Sequence, residues 1–143
     1  MAINQQNIGK DVTLSIVGPT GALQPLGLLE EFEARVDSTT VLSLPINNGG
    51  YPVRRATYQG WTGHFMYDRQ NGNLDRLHNL LEANFYAGNP DIHFQIQETI
   101  RNPDGTSDTF SYLDCVIKLE TSGRKVQKEA IKQRAMFEAS QRV

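Results

Sequence analysis

The chain has 143 residues, 38% of them apolar and 21% charged, with a formal charge of −2. That length suits one domain with a core of its own, and that composition excludes wholesale disorder. The near-neutral charge excludes a generally basic nucleic-acid wrapper, and a lone cysteine, Cys115, excludes an intrachain disulfide scaffold.

The first segment, Asp11 to Val17, alternates Val12, Leu14 and Ile16 with Thr13 and Ser15, the period of a half-buried strand. Gly18-Pro19-Thr20-Gly21 breaks it as a turn. Before it, the N-terminus has no apolar core of the signal-peptide kind. No stretch approaches the length of a membrane span. A protein made and kept in a reducing cytosol, or assembled there into something larger, is expected.

From Leu28 the alternation returns. Leu28, Phe32, Ala34 and Val36 share one face, and Glu31, Glu33, Arg35 and Asp37 the other. Glu30 interrupts the apolar parity, so the strand is expected to settle beyond it. A short β-rich run, Thr39 to Leu44, follows. Pro45 to Gln59 then reads as a long polar loop, with Asn47-Asn48-Gly49-Gly50, Pro52 and Arg54-Arg55. Loops of that length within a domain are usually functional or mobile. A strand of Trp61, Gly63, Phe65 and Tyr67 against Thr62, His64, Met66 and Asp68 comes next.

Residues 74–87 read as a helix. Leu74, Leu77, Leu81 and Phe85 form its apolar stripe, with Leu80 alongside. Asn73 is the expected N-cap, Asp75 suits the positive end of the dipole, and Gly88 is the expected stop. Ile92, Phe94, Ile96 and Ile100 then mark a strand, and Asn102-Pro103-Asp104-Gly105 a hairpin turn. The returning strand switches parity between Tyr112 and Leu113, which predicts a β-bulge near Leu113-Asp114. For residues 126–143, propensity leans to helix, while Ile131, Ala135, Phe137 and Ala139 share a strand parity. The architecture predicted is six to eight strands and one helix.

Catalytic chemistry is not apparent. His64, His78 and His93 have no ligand-spaced partners in sequence, so no metal is expected. Cys115 reads as a small buried hydrophobe rather than a nucleophile. Glu30, Glu31 and Glu33 read as a solvated strand face rather than an acid/base pair. No nucleotide-binding glycine motif and no G-x-S-x-G occurs, and no cofactor is expected. Charge is divided unevenly: residues 118–143 carry seven Lys or Arg and three Glu, the other 117 residues seven and thirteen acids. Such a division steers one copy onto another more readily than onto nucleic acid, because the basic segment offers only Phe137 for stacking.

The order of segments has a familiar look. Leu29-Glu30-Glu31-Phe32 leads to a long loop. The loop closes on Gly60-Trp61-Thr62-Gly63-His64-Phe65, Arg69 and Leu74-Asp75. Tyr112 to Ile117 and Phe137-Glu138-Ala139-Ser140 end the chain. Over about residues 10 to 143 this resembles the tail tube proteins of contractile-tailed bacteriophages, which are similar to R-type pyocin tubes and the Hcp proteins of type VI secretion.

The resemblance implies a mainly β fold, a β-sandwich or barrel with one packed helix at about 74–87 and a long loop at about 40–59. It implies a terminal strand rather than a helix, and a structural protein rather than an enzyme. It also implies stacked homohexameric rings forming a virion tail tube, assembled in the host cytoplasm, through which double-stranded DNA passes unbound. Sheath, baseplate and terminator proteins would be its partners. Subunit contacts are expected at Asn47, Asn48, Gly49, Gly50, Arg54 and Arg55 of the loop. The charge division adds Arg124, Lys125 and Lys128, with Lys132 and Arg134 beside them. Glu31, Glu33 and Asp37 are the lumen candidates; Asp75, Arg76 and Glu82, with Asn79, are expected to face a sheath. Trp61 is expected in the core, with Gly60 and Gly63 allowing close packing around it. An Hcp-like secretion or pyocin tube protein is the alternative within the resemblance, and a monomeric small-ligand barrel the alternative of a different class.

Overall fold

Alternating apolar residues build most of the fold, as they must when each strand buries one side. The computed structural model describes residues 6–23 and 25–143, together with all their side chains except that of Asn48. Eight strands and one α-helix lie within them: β1 (Val12–Gly18), β2 (Gly21–Ala22), β3 (Leu28–Ser43), β4 (Val53–Asp68), α1 (Asn73–Tyr86), β5 (Phe94–Arg101), β6 (Ser107–Thr121), β7 (Lys132–Ala139) and β8 (Gln141–Arg142). The pairing order is β2-β1-β5-β6-β7-β4-β3, antiparallel throughout, with β8 added on β6.

β6 turns this path into a sandwich. Its first half pairs with β5 and β8, and its second half with β7. Between the halves, one extra β6 residue lies between the Tyr112–Ile96 and Cys115–Phe94 pairs. This is the predicted bulge. Asp114 takes φ 52° there, the one positive φ outside glycine among the described residues. The bulge switches the inward parity from Tyr112 to Cys115 and Ile117, so one strand serves both sheets. Glu30 is explained in the same way. It is the extra residue of a bulge in β3 between the Leu29–Tyr67 and Glu31–Met66 pairs.

The core between the sheets holds Ile16, Phe65, Tyr67, Phe94, Ile96, Tyr112, Ile117, Ala135 and Phe137. Phe137 stacks on Phe32 at 5.6 Å and meets Tyr112 edge-on at 5.6 Å. Trp61 packs against this cluster as expected, though half-buried, 5.8 Å from Tyr112. Gly63 is required here. A Cβ on it would run into the Glu33 carbonyl and the Phe137 ring. Cys115 is fully buried, and burial pushes its thiol up to about 11, the inert state expected of it.

Three expectations are corrected. The end of the chain is strand, β7 and β8, as the resemblance implies and not the helix that propensity favoured. Inward Gln133, Ala135, Phe137 and Ala139 outweigh a weak helix preference. Asn73 is the first residue of α1, not its cap: Gly72 stands at the cap, Asn71 Oδ1 accepts from the Asn73 N–H at 3.0 Å, and the Asn73 amide donates to the Pro25 carbonyl at 2.8 Å. The apolar stripe buries Leu74 and Leu77 and half-buries Leu81, but Phe85 is 67% and Leu80 56% exposed. Gly88 closes the helix as expected, with φ 75°.

Candidate assembly interface

The segment read as a loop at about 40–59 is a hairpin arm. β3 and β4 stay in antiparallel register out to the Ser43–Val53 pair, leaving only residues 44–52 outside the strands. β4 pairs with β7 only over Trp61–Asp68, so Val53 to Tyr58 pairs with β3 alone. At the base, an extra residue in β4 makes a bulge at Gln59-Gly60, where Gly60 takes φ 98° and leaves no space for a Cβ against the Ala139 carbonyl. The bulge marks where the arm leaves the sandwich.

The arm exposes apolar side chains on both of its faces. Val41 and Val53 lie on one side, Leu42 and Tyr58 on the other, and all are exposed, Tyr58 by 74%. Beyond the strands Leu44, Ile46 and Tyr51 continue the patch, Ile46 being 98% exposed. Arg54 pairs with Leu42 and Arg55 with Val41, so each face carries one arginine. Asn47, Gly49 and Gly50 form the turn, with Gly49 at φ 61° and Gly50 at φ 84°. The side chain of Asn48 lies outside the described residues. The sequence named the arm's polar turn, its arginines and the β-rich run Thr39 to Leu44, but missed the strand that returns from Val53.

The β3 carboxylates stand on the solvent side of the sheet. Glu31 and Glu33 converge with His64 of β4, whose Nε2 lies 3.0 Å from Glu31 and 4.0 Å from Glu33. Sequence spacing could not show this, because the strands bring His64 opposite Glu33 from 31 positions away. The three side chains have ligand atoms within 4.8 Å. Arg35, however, donates to Glu33 at 2.6 Å, holds its carboxyl below the usual range and already supplies a cation there. Asp37 continues the same β3 parity. The neighbouring strands add Arg134 with Glu120 at 2.8 Å and Lys118 with Glu138 at 3.6 Å. The face is therefore mixed in sign, with Arg35 among the β3 acids as its parity implies.

Arg124, Lys125 and Lys128 are exposed in the connection between β6 and β7, and the Lys125 amine donates to the Gly123 carbonyl at 3.2 Å. Their neighbours are already engaged: Lys132 donates to Glu30, and Arg134 pairs with Glu120. On α1, Arg76 is exposed and donates to Asn73 at 3.1 Å, and Glu82 pairs with His78 at 3.2 Å. Asp75 does not point away from the sheet. It accepts from the fully buried Gln133 amide at 3.0 and 3.1 Å and from Arg69 at 3.3 Å, tying the start of α1 to β7.

No protein-family model and no curated protein matches this sequence. Solved structures do match. A chain of an extracellular contractile injection system, the PVC sheath-tube complex in its extended state, superposes with a TM-score of 0.64 at 10% identity, covering 99% of this chain and 93% of that one. The chain shares its fold with contractile injection machinery. A chain of the anti-feeding prophage baseplate gives a TM-score of 0.59 at 3% identity, covering 99% and 96%. One from the tail of an empty GTA particle gives 0.52 at 14%, covering 96% and 98%. The likeness bears out, as a fold, the tube-type architecture that the sequence resembles.

Proposed function

We propose that this chain is a structural protein that polymerises as stacked hexameric rings into the inner tube of a contractile tail, the conduit for DNA ejection. One observation carries the reading: a two-stranded arm with exposed apolar residues on both faces. A two-stranded hairpin is marginally stable alone, and apolar residues on both faces call for cover on both sides. A neighbouring subunit supplies that cover. The fold shared with sheath-tube, baseplate and tail assemblies supports the same reading. Among the described residues, the open outer edges of β3 and of β1 before its Val17–Ala22 pair with β2 do so too, because a free edge is a template for another copy.

On this reading the protein belongs to the virion tail, assembles in the host cytoplasm and meets sheath, baseplate and terminator proteins. It has no catalytic role. The β3 face with Glu31, Glu33 and Asp37 is the proposed lumen wall. Its local ion pairs leave little free positive charge to hold DNA by counterion release. Arg76 and Glu82 remain the proposed sheath-facing pair. A monomeric ligand barrel would need an empty apolar interior. Here Phe65, Tyr112 and Phe137 fill it. Sedimentation velocity of the pure protein tests the proposal. Rings or longer polymers are expected, and a single species near 16.0 kDa at every concentration would overturn it.

A further inference from the structure

We infer that the arm of one copy docks on the C-terminal end of α1 of a second copy, Arg54 and Arg55 reaching Glu82 and Asp91 from opposite faces of the arm. The inference rests on the self-assembly reading and names the surface that assembly uses. Three observations carry it. The second half of α1 leaves Leu80, Phe85 and Tyr86 exposed, with the Phe85 and Tyr86 rings 5.2 Å apart. This is the described chain's second cluster of large exposed apolar side chains, and the arm is the first. Two distinct sticky patches on one chain make a head-to-tail contact, the kind that closes rings or grows filaments.

Charge selects the pairing. Residues 38–59 contain Arg54 and Arg55 and no acid. Residues 73–91 contain Asp75, Glu82 and Asp91 against Arg76 alone. Asn84 donates to the Pro90 carbonyl at 2.7 Å, which folds the segment bearing Asp91 back onto the last turns of the helix. The negative end of the helix dipole lies there too, and its last turn holds no basic residue. An arriving arginine supplies the missing cation. The alternatives fit less well. The 124–128 connection is itself basic, and the polar face of β3, β4, β7 and β6 neutralises its own charges. About seven residues separate the bulge from the end of the strands. At ~3.3 Å each the arm reaches ~20 Å from the sandwich, far enough to touch a neighbour.

Charge exchange tests this. Arg54→Glu with Arg55→Glu reverses the arm, and Glu82→Arg with Asp91→Arg reverses the helix end. Each pair is expected to cut the pelleted polymer by about tenfold, and the four changes together to restore most of it. Circular dichroism checks that each variant folds. Variants Ile46→Cys and Tyr86→Cys, each adding one exposed cysteine and mixed in the wild-type charge background, should also be joined by a short bismaleimide, since Cys115 is buried. If the helix-end pair polymerises like wild type, or the four changes together fail to restore assembly, the docking surface is wrong while self-assembly stands. A wild-type protein that never polymerises overturns both.

Discussion

Gly63 shows how little freedom the sandwich leaves. Its α-carbon faces the Glu33 carbonyl and the Phe137 ring with no room for a methyl. Gly63→Ala should therefore cost about 1–3 kcal/mol, read as a lower urea midpoint, although alanine favours strand backbone entropically over glycine. Leu77→Ala should cost about 2–5 kcal/mol because it empties a buried site beneath the helix. Phe85→Ala, at an exposed position, should change the subunit's stability by less than about 0.5 kcal/mol. Equal effects of the two helix changes would contradict the packing described. Ionisation adds a second residue-scale test. Burial pushes Cys115 from 9.0 up to about 11, and Tyr67 and Tyr112 from 10.0 up to about 12. In each case the unfolded chain loses its proton first. The stabilisation is complete below the unfolded value and is lost as pH rises towards the folded one. The urea midpoint should fall steadily between pH 9 and pH 12, and a flat profile across that range would contradict the burial of these groups.

The arm behaves as an element apart. Val53 to Tyr58 pairs with β3 alone and none of its residues is buried, so the sandwich does not depend on it. Deleting residues 47–52 should leave the melting temperature within a few degrees of the parent and abolish polymerisation. Normal polymers from that deletion would remove the arm from the account. The arm also explains what the sequence could and could not show. Strands with one buried face were legible, because Val12, Leu14 and Ile16, or Phe94 and Ile96, alternate against polar neighbours. The bulge at Asp114 was legible from a parity switch. The arm has no buried face, so its residues carry no pattern tied to a core, and Asn47 to Gly50 made the whole stretch look like loop. The end of the chain misled for the opposite reason: Lys, Gln and Met favour helix locally, while four inward positions of β7 decide the outcome by packing. Asp75 was placed outward from helix geometry alone. Its attachment to Gln133 depends on β7 lying beside α1, which no local pattern contains.

At the scale of the whole molecule, the proposed assembly gives the uneven charge a use between copies. Arg124, Lys125 and Lys128 lie exposed in one connection, while most acids lie in the first 117 residues. Contacts between copies through such groups are worth about 0–1 kcal/mol each and are screened over about 8 Å at physiological salt. Repetition along a polymer makes them count. The concentration needed for assembly should rise with added salt, and Lys125→Glu with Lys128→Glu should raise it further. Light scattering against salt concentration checks this, and an assembly threshold indifferent to salt would contradict it. The central claim is that this chain builds a hollow tube. Negative-stain or cryogenic electron microscopy of the purified protein, followed by averaging of end views and side views, tests it most directly. The account predicts hollow cylinders of stacked rings with sixfold end views. Solid fibres, or isolated 16.0 kDa particles at all concentrations, would contradict it.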